Sequence, residues 1–205
     1  MTIRFHKHDL PDLAHYQVEA VAIDTETLGL NPHRDRLCVV QLSPGDGDAD
    51  VVQIAKGQRE APNLVRLLED RSVTKLFHYG RFDIAVLHNA FGAMARPVFC
   101  TKIASRLTRT YTDRHGLKDI CQELLGIGLS KAQQSSDWAA ETLSPEQLEY
   151  AASDVIYLHR LREALAARLA REQRAAEAAA CFEFLPTRAK LDLAGWSEED
   201  VFAHS

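Results

Sequence analysis

Two features that often define where a protein works are missing from this sequence. No run approaches the roughly 20 apolar residues that a membrane-spanning helix needs, and the N-terminal stretch has no apolar signal region. The cysteines are far apart and form no C-x-x-C pair of the kind that binds zinc or acts in redox chemistry. We therefore expect a cytoplasmic protein with reduced thiols and no membrane contact.

An excess of positive charge is also absent. The 24 Lys and Arg residues are outnumbered by 29 Asp and Glu residues, which gives a formal net charge of -5. A broad basic face for long nucleic acids is therefore not expected, and any nucleic-acid ligand should be short or locally bound. A phosphate-bearing ligand stays compatible with this charge, because cations bound by clustered carboxylates reverse the local sign.

The composition is typical of a folded protein. Hydrophobic residues make up 46% of the 205 positions and charged residues 26%, and no internal repeat or low-complexity linker is present. A chain of this length has room for one sizeable α/β core and little more. We expect one domain with appendages.

The first half of the chain contains β-rich runs separated by turn-forming residues. The predicted strands are residues 18–25, 36–42, 50–55 and 73–79. The first three are close together, with the turn-rich stretches NPHRD and SPGDGD between them, which is typical of an antiparallel meander. The fourth lies between helical patterns, so part of the sheet should be parallel.

Helical spacing dominates the second half. The predicted helices are residues 63–70, 82–91, 103–107, 117–125 and one long helix from 145 to about 180. Ser144 and Pro145 form a natural start for the last one, because serine caps helices and proline fits their first position. The expected fold class is α/β, a mixed β-sheet flanked by helices with a helical C-terminal half.

Apolar residues are concentrated near the C-terminus. We divide the chain into a main domain at 1–175 and an apolar extension at 176–205, which should pack on the domain or on a neighbouring subunit. Its large apolar residues are Phe182, Phe184, Leu185, Trp196 and Phe202.

Asp24 and Glu26 stand two residues apart at the end of the first predicted strand. Side chains two apart on a strand leave from the same face, so both carboxylates should point to one place. Taken alone, the sequence Asp-Thr-Glu-Thr is equally compatible with a solvated turn or a helix cap.

Three further residues add to this pair. Tyr150 and Asp154 are four apart in a predicted helix, which places them on one face. Asp83 falls in the opening turn of the helix at 82–91, after Gly80 has allowed a tight turn. Each has a simpler explanation: a half-buried tyrosine, an exposed helix acid, and an acid that interacts with the helix dipole.

The combination of these residues resembles the DEDD exonuclease superfamily. Its three motifs correspond to Asp24-Thr25-Glu26, to HYGRFD ending at Asp83, and to Tyr150-x-x-x-Asp154. Tyrosine in the third motif indicates the DEDDy branch, since the histidine branch would have a histidine at position 149, which is Glu149 here. The resemblance implies the ribonuclease H-like fold and 3′-5′ exonuclease activity.

The similarity extends over about residues 18–161 and is greatest to ribonuclease D. It includes Lys131, Gln134, Asp137 and Trp138, before the third motif. Ribonuclease D carries additional helical RNA-binding domains, for which this sequence has no room. A short chain with an apolar tail is similar to the nano-RNase C group. That resemblance implies degradation of short single-stranded RNA, down to dinucleotides, to nucleoside 5′-monophosphates, and assembly into a homo-oligomer, a ring octamer.

The resemblance also implies a two-metal mechanism. Asp24, Glu26, Asp83 and Asp154 would hold two divalent cations, Mg²⁺ or Mn²⁺, which prefer oxygen ligands. Tyr150 corresponds to the residue that positions the attacking water. A free phenol has a pKa of about 10, so Tyr150 is expected to orient the water and not to act as an unaided base.

Substrate contacts are predicted in two regions. The resemblance places Thr27 and Leu28 at the 3′-terminal nucleotide, and His78 and Arg81 near sugar or phosphate, although the family often has Asn close to this point. Leu28 and His78 are equally compatible with ordinary packing. The basic stretch 106–118, with Arg109 and Arg114, could bind a 5′ phosphate or form a solvated loop.

Two other functions share these features. The same fold and carboxylates serve DNA exonucleases, and no motif here reads a 2′-hydroxyl. An inactive nucleic-acid-binding scaffold would also keep the fold, but such proteins usually lack one of the acids, and all four are present with the tyrosine.

Overall fold

The computed structural model describes residues 1–130 and 132–204 and contains one six-stranded sheet. Its strands are β1 (Ile3–Lys7), β2 (Ala20–Thr27), β3 (Leu37–Ser43), β4 (Ala49–Gln53), β5 (Thr74–Phe77) and β6 (Val98–Cys100). Their order across the sheet is β1-β4-β3-β2-β5-β6. Strands β2, β3 and β4 form the predicted antiparallel meander, whereas β5 joins β2 in parallel. The predicted mixed sheet is confirmed.

Both outermost strands escaped prediction. In β1, Arg4 and His6 turn to one side and both contact the buried carboxylate of Asp50 on β4. Tyr16 donates a further hydrogen bond to Asp50, at 2.6 Å. Strand β1 is therefore joined to β4 by buried polar contacts, which an apolar pattern does not reveal. Strand β6 is only three residues long.

Seven helices flank the sheet within the described residues. They are α1 (Pro62–Glu69), α2 (Gly80–Phe91), α3 (Thr101–Thr108), α4 (Leu117–Leu125), α5 (Pro145–Ser153), α6 (Leu158–Arg171) and α7 (Ala175–Leu191). The prediction of one helix from 145 to about 180 was wrong. The helical structure is interrupted between α5 and α6. It is interrupted again after Arg171, where Gln173 adopts a left-handed φ of 55°. The predicted start was correct: Ser144 Oγ accepts from the Gln147 amide at 3.2 Å.

The sheet is buried on both faces, and alternate residues of β2 point to opposite sides. Val21 and Ile23 pack with α1, α2 and α7, whereas Ala20 and Ala22 pack with α3, α4 and α6. This alternation continues to Glu26, where the pairing with β3 becomes irregular. It therefore decides which helices the polar residues there can reach.

The C-terminal part of the chain packs against both sides of this core. In α7, Leu185 and Ala189 join the cluster of α1 and α2, while Ala178 joins the cluster of α6. Beyond α7, Trp196, Val201 and Phe202 stay exposed. No helix in the described part of the chain is long and apolar enough to cross a membrane.

Candidate active site

Asp24, Glu26 and Asp154 come together at the end of β2. One carboxylate oxygen from each lies within 4.8 Å of the other two. Asp24 and Glu26 share a face of β2 because they are two apart, and this is the face of Ala20 and Ala22 that α6 covers. All three side chains are half-buried.

Asp154 lies in the break between α5 and α6. It caps the end of α5 with right-handed φ and ψ of -77° and -15°, so the chain continues its helical path through this residue. Tyr150 and Asp154 therefore keep the one-turn spacing predicted for a continuous helix, although the helix itself ends at Ser153.

Asp83 reaches the site from the opposite face of the sheet. It is buried in the first turn of α2, and its Oδ1 accepts a hydrogen bond of 2.7 Å from Thr25 Oγ1. Thr25 lies between Asp24 and Glu26 and therefore points away from them. This alternation explains why Asp83 is outside the group of three close carboxylates.

All four acids have raised pKa values. Burial is the first cause for each, and the pKa values of Asp24, Glu26, Asp83 and Asp154 all lie above the ordinary range. Repulsion from neighbouring carboxylates adds to burial at Asp24, Glu26 and Asp83. Converging carboxylates of this kind fit divalent cations, which would supply the missing positive charge and accept hard oxygen ligands.

Gln41 supports this cluster, although no sequence motif pointed to it. Its amide Nε2 donates to Asp24 Oδ2 at 2.9 Å from the neighbouring strand β3. Gln41 is fully buried, and its Oε1 has no hydrogen-bond partner among the described residues. The signal in the sequence was a single amide inside the otherwise apolar run LCVVQL.

Tyr150 faces the same cluster. Burial, followed by the charges of Asp154, Glu26 and Asp24, raises the pKa of its phenol well above the ordinary value. The ring packs at 6.0 Å from the buried Trp138. The phenol is therefore held in place and protonated at neutral pH.

A cavity of about 660 Å³ opens over these side chains. Thr27, Leu28 and His78 also line it, as do Gln134 and Trp138. Leu28 is 53% exposed, so it is not a core leucine. Of the other residues with family similarity, Asp137 is exposed and Lys131 lies outside the described residues.

His78 lies at the wall of this cavity as a neutral imidazole. Its Nδ1 is 2.9 Å from Thr101 Oγ1, and burial lowers its pKa to about 3. Any contact with a substrate would therefore be a hydrogen bond without a full positive charge.

The predicted arginine contacts lie elsewhere. Arg81 forms a two-pronged ion pair with Asp192, beyond α7, and lines neighbouring cavities and not this one. Arg109 is 1% exposed. Its Nη1 donates to Ser105 Oγ and to the Arg114 carbonyl, while Nε and Nη2 donate to Glu123.

The prediction that Arg109 contacts the substrate is therefore wrong for this structure, and Arg109 has a structural role. Its guanidinium is buried and already occupied, which leaves it unable to meet a phosphate. Arg114 pairs with Asp119 at 2.7 Å. Its guanidinium is exposed, so the predicted contact with a 5′ phosphate stays a prediction for this residue.

Comparison with known proteins identifies the family of this chain. The model of the 3′-5′ exonuclease family matches residues 11–170. Ribonuclease D of Acidiphilium cryptum is 39% identical over 154 residues, which cover 75% of this chain and 39% of that protein. The chain thus spans less than half the length of these curated relatives.

Solved structures of equal length are also similar. The structure of Brucella melitensis NrnC with bound Mg²⁺ is 72% identical with a TM-score of 0.97, and each chain is covered completely. The structure of Brucella melitensis NrnC bound to pGG is 73% identical with a TM-score of 0.98, again over the whole of both chains. The resemblance to ribonuclease D and nano-RNase C is confirmed, and the chain belongs to the 3′-5′ exonuclease family.

Proposed function

We propose that this protein is a two-metal-ion 3′-5′ exoribonuclease. Its substrates are short RNAs, down to dinucleotides, and its products are nucleoside 5′-monophosphates. The observation that carries this proposal is the convergence of Asp24, Glu26 and Asp154 within 4.8 Å, at one cavity with Tyr150. Three converging acids that repel one another are costly to maintain without a bound cation. A nuclease site explains why they stand together.

The proposed metal ligands are Asp24, Glu26 and Asp154, with Asp83 from the opposite face of the sheet. When bound, two divalent cations supply a water of lowered pKa and stabilise the charge on the departing 3′ oxygen. Mg²⁺ and Mn²⁺ both suit oxygen ligands. The Brucella structure with bound Mg²⁺ supports a magnesium site.

Tyr150 is proposed to orient the attacking water. Its raised pKa keeps the phenol protonated, so it cannot remove a proton at neutral pH. Trp138 limits the movement of the ring. The phenol can therefore hold a water by one hydrogen bond at a fixed distance from the carboxylates.

Thr27 and Leu28 are proposed to receive the 3′-terminal nucleotide. Both follow Glu26 directly, and Leu28 exposes an apolar side chain to the cavity. An exposed leucine beside the carboxylates can pack against a base, whereas it contributes little to the packing of the core. His78 is proposed as a neutral hydrogen-bonding partner of sugar or phosphate.

A short substrate is supported by the size of the site. A cavity of about 660 Å³ lies within the range of pockets that enclose small ligands. The bound pGG in the Brucella NrnC structure is a ligand of this class. Cytoplasmic location and homo-oligomeric assembly, as a ring octamer, belong to the same proposal. The free cysteines and the exposed Trp196 and Phe202 support them.

The test is a time course on RNAs of two to about twenty nucleotides, with Mg²⁺ or Mn²⁺, beside DNA of matched length. We expect complete conversion of RNA dinucleotides, loss of activity in EDTA, and loss by at least about 100-fold in Asp24→Asn. Glu69→Gln, which removes one charge from an exposed acid on α1, is the control. Accumulating dinucleotides would contradict the short-RNA proposal, and a preference for DNA would contradict its ribonuclease part.

The assembly is tested separately by light scattering after gel filtration. A mass of several chains is expected. A monomer of 22.9 kDa would remove the oligomer from the proposal without affecting the chemistry.

A further inference from the structure

We propose that Tyr79 and Lys102 form a nucleotide-binding subsite beside the catalytic carboxylates. The Tyr79 ring stacks on a base of the RNA strand, and the Lys102 ammonium binds a phosphate of the same strand. This inference rests on the RNA substrate proposed above. The ligand is a nucleotide adjoining the bond to be cleaved.

The backbone of Tyr79 is held in a conformation that tyrosine rarely adopts. Its φ and ψ are 68° and 37°, in the left-handed region, where glycine and asparagine are far more common than aromatic residues. The next residue, Gly80, packs closely against the preceding strand, because a Cβ there would lie 2.7 Å from Phe77 Cβ. Neighbouring residues fix the shape of this turn, and the turn itself does not require a tyrosine at position 79.

The core does not explain this tyrosine either. Its side chain belongs to no buried cluster and is 46% exposed. A strained backbone position carrying an exposed ring lies directly before α2, the helix that supplies Asp83. Strained residues are concentrated at ligand sites, where the gain in binding offsets the cost to folding.

Lys102 stands over this ring. Its Nζ is 4.3 Å from the ring centroid, within the distance of a cation-π interaction. The side chain is half-buried and forms no ion pair with the described residues. Burial, followed by the nearby charge of Arg106, lowers the pKa of Lys102. A phosphate would supply the counter-charge that this ammonium lacks.

The pair occupies the border between two cavities. Tyr79 and Lys102 line the cavity of Asp24 and Tyr150, and they also line a neighbouring cavity of about 650 Å³ between α3 and α7. A strand whose 3′ end lies at the carboxylates can pass this border. An aromatic ring with an adjacent cation is the combination by which proteins bind single-stranded RNA.

Four variants test the subsite, with equilibrium binding of a fluorescent RNA pentamer whose 3′-terminal linkage resists hydrolysis. Tyr79→Asn removes the ring and suits the left-handed backbone, so its affinity should fall about ten-fold while its melting temperature does not fall. Tyr79→Phe keeps the ring and should bind within about two-fold of the parent. Lys56→Met, an exposed lysine after β4, is the control for loss of one charge.

Lys102→Met provides an independent measurement, because it leaves the backbone at Tyr79 unchanged. Loss of one phosphate contact should reduce the slope of log affinity against log salt by about 0.7. Lys56→Met should leave this slope unchanged. A structural role for Lys102 would alter melting temperature without altering the salt slope.

The outcomes separate this inference from the proposed function. Parental affinity in Tyr79→Asn together with a parental salt slope in Lys102→Met overturns the subsite. If Tyr79→Asn folds poorly, the Lys102→Met slope decides alone. If the parent protein hydrolyses no RNA but both variants bind as expected, the proposed reaction fails and the subsite stands.

Discussion

Gln41 and Asp24 face each other across strands β2 and β3, and the glutamine amide donates to the aspartate carboxylate at 2.9 Å. The pair joins two buried strands at the point where the carboxylates converge. An amide donor favours the ionised form of Asp24 and limits its rotation. The Oε1 of Gln41 is a buried acceptor without a partner in the described chain, an unfavourable arrangement that the contact with Asp24 helps to explain.

Gln41→Leu should therefore weaken metal binding about 10-fold to 100-fold, the usual effect of losing a partner of a metal ligand. Stability without metal should change little, because the substitution also removes an unpaired buried acceptor. Calorimetric titration with Mn²⁺ measures the first and urea unfolding in EDTA the second.

Gln53→Leu is the matched control for this change. Gln53 lies on the next strand and donates to the Ala140 carbonyl at 2.8 Å, away from the acids. Equal Mn²⁺ affinity in the two variants would show that Gln41 does not support the metal site.

A second prediction concerns Thr25, whose side chain lies on the face of β2 opposite to Asp24. Thr25→Val removes the 2.7 Å bond to Asp83 and leaves a buried carboxylate without this donor, at a cost of about 1–3 kcal/mol in the free energy of unfolding. Thr25→Ser keeps the hydroxyl and should retain most of the stability. Urea unfolding in EDTA distinguishes them, and equal losses in both would attribute the effect to packing.

The spacing within each half of the site was predictable from the sequence because it is local, whereas the grouping of the halves with Asp83 came from the resemblance to the exonuclease family. Asp24 and Glu26 share a face through strand alternation, and Tyr150 and Asp154 lie one helical turn apart. The second relationship survived an error, since the predicted long helix ends at Ser153. Right-handed backbone angles at Asp154 were sufficient to preserve the spacing.

The arginines were not predictable in the same way, because their partners lie on other elements of the chain and are not set by the repeat of one helix or strand. Arg81 pairs with Asp192, 111 positions away, and Arg109 pairs with Glu123. From the sequence alone, a basic residue near a motif is a candidate for substrate binding. The structure shows whether another residue of the chain already pairs with it. Strand β1 was hidden for the same reason, since Asp50 lies 46 positions from Arg4.

Arg109 allows its two assignments to be separated. Arg109→Met should lower the free energy of unfolding by about 1–3 kcal/mol, because several hydrogen bonds of a buried guanidinium are lost. KM for a 5′-phosphorylated RNA dinucleotide should not change. Arg114→Met, at an exposed position nearby, should stay within about 0.5 kcal/mol of the parent. A raised KM with unchanged stability in Arg109→Met would restore the substrate contact.

Removal of the metal should make stability depend on pH in a direction unusual for acidic groups. The folded-state pKa values of Asp24, Glu26, Asp83 and Asp154 are raised, so the folded protein holds protons that the unfolded chain has released above a pH of about 4. In EDTA, stability should therefore fall as pH rises from about 5 to 8, because these protons are lost from a buried cluster.

Saturating Mg²⁺ should reverse this dependence, since the cation binds the ionised carboxylates and competes with protons. The measurement is urea unfolding at several pH values, with and without the metal. Asp24→Asn removes one repelling charge, so its EDTA curve should be flatter than that of the parent. Parallel curves with and without Mg²⁺ would show that the four acids do not form the metal site.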